Sequence, residues 1–282
     1  MSYANEETAP VTDSSPSSEG QPSPKIDTTV PHSARIWNYW LGGKDNYPVD
    51  RAAGDAYVKT FPGIVTIART SRAFLARAVG YLAGEAGIRQ FLDIGTGLPT
   101  FDNTHQVAQR VAPESRIVYV DNDPLVLAHA RALLTSSPEG ACDYIHADLR
   151  EPAAIISAAA HNLDFSRPVA LMLMQILGHI TDDGEAYAIV GQLVAALPPG
   201  SYLVISDGTN VGSEDLDAAL RRYSETGAVP YRIRGPQQIT RFFHNLELLE
   251  PGVVPCLQWR PEVTSVFPTP EVETLGAIGR KP

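Results

Sequence analysis

The chain has 282 residues and a formal net charge of −10, long enough to bury a full core and too acidic for a generic nucleic-acid binder, which carries a basic footprint. Its two cysteines, Cys142 and Cys256, are too few and too far apart for a disulfide framework or a cysteine-rich zinc site, so no metal is expected. Residues 1–30 lack the apolar core of an export signal, and the apolar run around Val169–Leu177 falls far short of the ~20 residues that span a bilayer; a reduced, cytoplasmic protein with no membrane partner is expected, its oligomeric state left open.

Residues 1–30 are rich in Ser, Pro, Thr and acids and nearly free of large apolar side chains, so they cannot offset the entropy of ordering and read as a flexible tail. From Ser33 the character changes. Ser33 can cap a short aromatic helix carrying Ile36, Trp37, Tyr39, Trp40 and Leu41, stopped by Gly42-Gly43. The polar turn Lys44-Asp-Asn-Tyr-Pro48 leads to a second helix through Val49–Lys59, ended by Pro62-Gly63. A third is expected over Ile64–Ala86, where Ile64, Ile67, Phe74, Leu75, Ala78 and Leu82 recur at helical spacing. Arg69, Arg72 and Arg77 fall mainly off that stripe and read as a solvated face.

An apolar strand, Phe91-Leu-Asp-Ile94, then runs into Gly-Thr-Gly97. Asn103–Val111 reads as the following helix, capped by Asp102 or Thr100, with His105 near its start in what is ordinarily a structural position. Arg116–Val120 is a second strand, delivering Asp121 ahead of a helix through Leu134 whose start is marked by Asp123-Pro124. Cys142–His146 is a third strand, followed by Ala147-Asp148-Leu149. Pro168–Met174, apolar throughout, reads as a central strand covered on both faces, and Gln175 and His179 follow it. A helix over Asp183–Leu197 and a strand at Tyr202–Ile205, ending at Asp207-Gly208, come next. Helices near Asp215–Ser224 and Pro236–His244 and strands near Leu246–Leu249 and Thr274–Ile278, an expected antiparallel edge pair, close the chain. Arg221, Arg222, Arg232, Arg234 and Arg241 are read as a solvated face rather than an anion site.

The chemistry concentrates at strand ends. In open α/β sheets ligands gather beyond the carboxyl ends of strands, and glycine lets backbone turn sharply and approach a bound molecule. Asp93, Gly95, Thr96 and Gly97 end one strand, Asp121 and Asn122 a second, Asp148 and Leu149 a third. An acid at the second position suits ribose hydroxyls, and one at the third can accept from an adenine amino group. An adenosine-bearing ligand follows, either a dinucleotide or S-adenosylmethionine. A pyrophosphate binder uses G-x-G-x-x-G, but Thr100 stands where the last glycine belongs. Asp93, just ahead of the glycines, suits a ligand with an amino group, as the methionine end of the methyl donor has.

Asp93-x-Gly-x-Gly97, Asp121 and Ala147-Asp148-Leu149 resemble the cofactor motifs of class I methyltransferases. The segment Leu92-Asp-Ile-Gly-Thr-Gly-Leu-Pro-Thr100 with Asn103-Thr-His105 is similar to a narrower group, the actinobacterial S-adenosyl methyltransferase family once called a domain of unknown function. Ala34–Tyr47, Pro236-x-Gln-Ile-x-Arg-Phe-Phe243 and the terminal Gly279-Arg-Lys-Pro282 extend the resemblance from about residue 31 to the end. It implies an α/β, Rossmann-like fold with a seven-stranded, mostly parallel sheet and helices on both faces. A helical cap over 31–88 would precede a donor-binding domain over 89–282. The implied activity is S-adenosylmethionine-dependent methyl transfer, with a small-molecule acceptor expected. A donor-binding sensor without turnover and a nicotinamide-dependent oxidoreductase are the rival readings. Gln175 and His179 stand where such enzymes place residues facing the methyl group, and His179 or Tyr47 is the candidate general base. The segment Trp37–Tyr47 is expected as a lid, with Tyr39, Lys44, Asn46 and Tyr47 toward the ligand.

Overall fold

The computed structural model describes residues 26–133, 135–209, 230–261 and 274–282, and within them three helices precede an alternating run of strands and helices. The helices are α1 (Ser33–Trp40), α2 (Pro48–Thr60) and α3 (Ile64–Gly84). The run comprises β1 (Gln90–Ile94), α4 (Thr104–Val111), β2 (Arg116–Asp121), α5 (Pro124–Leu133), β3 (Ala141–His146), α6 (Pro152–Ala159) and β4 (Ala170–Met174). After it come α7 (Asp183–Ala196), β5 (Tyr202–Gly208), α8 (Pro236–Arg241), β6 (Glu247–Leu248), β7 (Val254–Pro255) and β8 (Thr274–Arg280).

The strands form one sheet in the order β3-β2-β1-β4-β5-β8-β6, the expected seven, with the two-residue β7 added against β8. From β3 to β5 every pairing is parallel; β8 runs antiparallel to β5, β6 and β7. Strand alternation explains the layers. Leu92, Ile94, Val118, Val120, Leu171 and Leu173 pack with α6 and α7 on one face, whereas Phe91, Ile117, Tyr119, Ala170 and Met172 pack with α3 and α4 on the other. The strand order reverses direction between β1 and β4, and such a reversal opens a crevice at the strands' carboxyl ends. Because Asp93 shares the α3–α4 face with Phe91, its carboxylate turns to Thr104 at the start of α4 rather than into the α6–α7 core.

Several local expectations change. His32, not Ser33, caps α1, its ring nitrogen accepting from the Ala34 N–H. Asn103, not Asp102 or Thr100, caps α4, paired reciprocally with Gln106. The double glycine after α1 is a close contact as well as a stop, since a Cβ on Gly43 would run into the Asn38 amide. Residues 26–30, expected as tail, are tied down: Arg35 donates to the carbonyls of Asp27 and Val30, both at 2.9 Å, and Ile26 packs beside Leu98 and Leu125. The helix expected over Asp215–Ser224, with Arg221 and Arg222, lies outside the described residues.

The arginines read as solvated divide. Arg69 is exposed, as expected. Arg77 reaches the carbonyls of Trp259 and Cys256, and Arg241 lies over the Tyr187 ring. Arg232 and Arg234 both meet Asp183, and Arg234, fully buried, also donates to the carbonyls of Leu177 and Ile180. A guanidinium can be buried when each of its donors finds an oxygen, and here backbone carbonyls supply most of them.

Candidate active site

A cleft of about 250 Å³ opens at the carboxyl ends of β1 to β4, with α1 and α3 as its outer wall. The loop after β1 forms its floor. Gly95 and Gly97 have φ of +75° and +66°, a region side-chain-bearing residues avoid. A Cβ on Gly95 would lie 2.5 Å from Ile176, whereas one on Gly97 would meet nothing within 4 Å, so bare backbone faces open space there. The Gly95 N–H binds the Val120 carbonyl at 2.8 Å, fixing the loop to β2.

Asp121, at the end of β2, accepts the Gly97 N–H at 2.8 Å on one oxygen and the Asp123 N–H at 2.9 Å on the other. Burial raises its pKa above the ordinary carboxylate value while these two donors pull it back. Asp93 accepts the Thr104 hydroxyl at 2.6 Å; burial pushes its pKa up to about 6, and Thr104 and the Arg72 charge moderate the rise. Asn122 donates to Asp148 at 3.4 Å, and Asp148 receives the Arg150 N–H at 2.9 Å. Leu149 is a buried apolar wall nearby.

Of the residues singled out from sequence, Asp93, Gly95, Thr96, Gly97, Asp121, Asn122, Asp148, Leu149, Gln175 and His179 all line this cleft. Tyr39, Lys44, Asn46 and Tyr47 do not. The Tyr39 hydroxyl donates to Asp55 at 2.7 Å, Asn46 is held by the Asn38 side chain and the Gly43 carbonyl, Tyr47 lies under the Arg35 guanidinium, and Lys44 is exposed. The polar turn folds onto its own helix because Asn38 presents its amide oxygen to the Asp45 N–H and to Asn46. The wall of the cleft is instead the other side of α1, with His32, Trp37, Asn38 and Leu41.

His179 ends a short 3₁₀ turn, Leu177–His179, and stands edge-on to Tyr231 with ring centroids 5.0 Å apart. Burial lowers its pKa to about 4, so the ring is neutral at physiological pH. The Gln175 amide is taken up below the cleft by Ser206 and Thr274, and Tyr231 turns its hydroxyl onto Asp207. Burial raises Asp207 to about 6, and one of its oxygens has no partner. His105 lies outside the cleft, bonded to the Tyr119 hydroxyl, and is structural.

Sequence reasoning missed Arg72. It lines the cleft and donates to Thr100 and, at 3.0 Å, to Asn103, so it braces the loop that ends β1. The signal was present: Ala68, Arg72, Leu75 and Val79 share one face of α3, and the other three are buried.

The sequence matches the S-adenosyl methyltransferase family over residues 19–282. The chain belongs to that family. It is 45% identical to a protein of the same family from Streptomyces avermitilis whose crystal structure it matches with a TM-score of 0.88, over 92% of this chain and 100% of the other. A candidate methyltransferase from Thermobifida fusca is 40% identical, with a TM-score of 0.83 over 93% and 98% of the two chains. No curated protein matches. The protein is an S-adenosylmethionine-dependent methyltransferase of Rossmann-like fold, and the dinucleotide reading falls away. The cleft fits that donor: a backbone-floored crevice bordered by acids at three strand ends offers acceptors for hydroxyl and amino groups, while the N–H groups of Gly95, Thr96 and Gly97 that a pyrophosphate would need are bonded to Val120 and Asp121. Among the described residues no helix is long and apolar enough to cross a membrane, and no cluster suits a metal ion.

Proposed function

We propose that Asp121 takes the donor's ribose hydroxyls, that Asp148, Asn122 and Leu149 form the adenine side, and that Asp93 with Gly95, Thr96 and Gly97 holds the amino-acid end. The acceptor in this reading is a small molecule entering beside α1, and no nucleic acid takes part. The observation that carries it is the convergence of all these side chains on one cleft. The domain reading that goes with it makes α1 and α2 the cap of the donor-binding domain. A cytoplasmic setting belongs to the same reading and is supported by the unpaired thiols Cys142 and Cys256.

S-adenosylmethionine supplies a methyl group already activated on a sulfonium, so the protein's task is alignment in a dry site rather than activation. Trp37 and Leu41 on the cleft side of α1 exclude water. Tyr231 fixes the His179 ring from its edge. Of the two candidate bases only His179 stands at the cleft, and with a pKa of about 4 it accepts a proton only as the acceptor's own acidity rises during bond formation.

Calorimetry with S-adenosylhomocysteine tests the donor half of this reading. Asp121→Ala is expected to weaken binding roughly 10–150-fold through loss of charged hydrogen bonds; equal affinity in the variant and the unaltered protein contradicts the assignment. Labelled donor incubated with fractionated extract then identifies the acceptor, which fold alone does not specify.

A further inference from the structure

A second cavity, of about 270 Å³, lies at the opposite end of the sheet from the cleft. Gln90 and Tyr202, the first residues of β1 and β5, border it with Pro168 ahead of β4, and Arg280 joins them because β8 runs antiparallel to β5 and pairs Arg280 with Tyr202. Three arginines from distant parts of the chain, Arg89, Arg167 and Arg280, line it, and among the described residues no carboxylate does. That is a local reversal of sign in a chain of net charge −10.

The donors of this cavity are held in place but not used up. Gln90, 3% exposed, fixes the loop that carries Arg167: its amide nitrogen donates to the Asp164, Arg167 and Pro168 carbonyls, and its oxygen accepts the Asp164 N–H at 2.7 Å. The Arg167 guanidinium, which is exposed, makes no hydrogen bond or ion pair of its own among the described residues. Arg89 gives Nε to Glu114 and Nη1 to the Ala83 and Ile88 carbonyls, and Arg280 gives Nη1 to Glu247 at 3.2 Å, so Nη2 of each remains. Tyr202 is 8% exposed, and its hydroxyl has no hydrogen-bond partner yet is not sealed off, so it opens on the cavity. Carbonyls at the ends of α3 and α7 would repel an anion, but Arg89 takes that of Ala83 and the Lys281 ammonium those of Val194, Ala195 and Leu197.

We propose that this cavity binds a small phosphorylated anion, its phosphoryl group held by Arg89, Arg167 and Arg280 with the Tyr202 hydroxyl. A tetrahedral oxyanion offers terminal oxygens on three sides, matching guanidinium groups on three walls, whereas a lone carboxylate offers two oxygens in one plane. The net charge of −10 repels a long polyanion, so the ligand is a free small molecule rather than a nucleic-acid strand. The site stands apart from the donor cleft and does not depend on how the donor is held.

The test titrates inorganic phosphate, pyrophosphate, acetate and a single-stranded oligonucleotide into the full chain at constant ionic strength, by calorimetry and by backbone amide shifts. Phosphate and pyrophosphate are expected to saturate, with acetate at least about 10-fold weaker, and the amides of Gly87, Ile88 and Gly200 to move while those of Gly95–Gly97 stay in place. Arg167→Gln removes a guanidinium that holds nothing else, so it is expected to weaken pyrophosphate about 10-fold or more without lowering Tm, and Tyr202→Phe to weaken it about 2–10-fold. Weak, unsaturable binding that Arg167→Gln leaves unchanged means an adventitious ion only and overturns the proposal. Acetate binding as tightly as phosphate overturns it too. Shifts confined to Gly95–Gly97 would put the anion in the donor cleft, and an oligonucleotide that binds more tightly than pyrophosphate would make this face a nucleic-acid surface; either result overturns the proposal.

Discussion

Replacing Arg35 by Met is the most severe single change we foresee outside the cleft. Arg35 is 4% exposed, and its Nε sits 3.5 Å from Asp50 and 3.5 Å from Asp123, which are 0% and 3% exposed. Its two terminal nitrogens hold the carbonyls of Asp27 and Val30. Methionine fills much of the volume but removes the charge that faces two buried carboxylates, Asp50 keeping only the N–H donors of His32 and Tyr47 and Asp123 that of Leu125 with the His32 ring. Breaking a buried ion pair by removing one partner costs about 3–5 kcal/mol, since the remaining charge stays desolvated. Urea unfolding at pH 7 is expected to show a loss in that range. Hydrogen exchange adds a second readout. This ion cluster ties α1 and α2 to the start of α5, so both helices are expected to be well protected without ligand and to lose protection in the variant. The donor site should feel it too, because the Asp123 N–H is one of the two donors that hold Asp121. A loss below about 1 kcal/mol, with α1 equally exposed in both proteins, refutes the pinned cap and returns Trp37–Tyr47 to the role of a hinged lid.

Gly97→Val is expected to abolish detectable donor binding while lowering stability by about 1–3 kcal/mol, the cost of a branched residue at positive φ; unchanged calorimetric affinity contradicts it. Asp207→Asn is expected to stabilise the protein on the order of 2 kcal/mol at pH 7. The folded-state pKa of Asp207, about 6, lies above its unfolded value of 3.8, so the penalty for its buried charge is present at neutral pH and disappears as pH falls from 6 towards 4. Unfolding curves at pH 7 and pH 4 check this, and a pH-independent effect refutes it. Removing residues 1–30 takes away both carbonyls that receive Arg35 and is expected to lower Tm by about 5 °C or more; an unchanged Tm shows that the segment contributes nothing.

Where the sequence carried a hydrophobic period or an Asp-Pro helix start, the structure follows it, whereas the caps of α1 and α4 fall on His32 and Asn103 instead of their expected neighbours. The strand alternation of β1 and β2, the uninterrupted apolar β4 and the Asp123-Pro124 helix start were all legible, and so were the acids at the strand ends, because those signals are local. What could not be read depends on contacts between distant segments. Arg72 and Arg234 look like surface charges until β1's loop and the 3₁₀ turn supply oxygens for them. The Lys44–Tyr47 turn looks free to reach a ligand until Asn38, one helix back, claims it. β7, two residues long, exists only because β8 offers an edge, and α6 carries an apolar run that shows little amphipathic period of its own.

The central claim is that the donor lies in the cleft over the ends of β1, β2 and β3. Backbone amide shifts recorded as S-adenosylhomocysteine is added test it most directly. The account predicts that the amides of Gly95, Thr96, Gly97, Asn122 and Leu149 move in a saturable manner while those of Lys44–Tyr47 stay in place. Saturable shifts confined to Lys44–Tyr47, with the glycine loop unmoved, would contradict it.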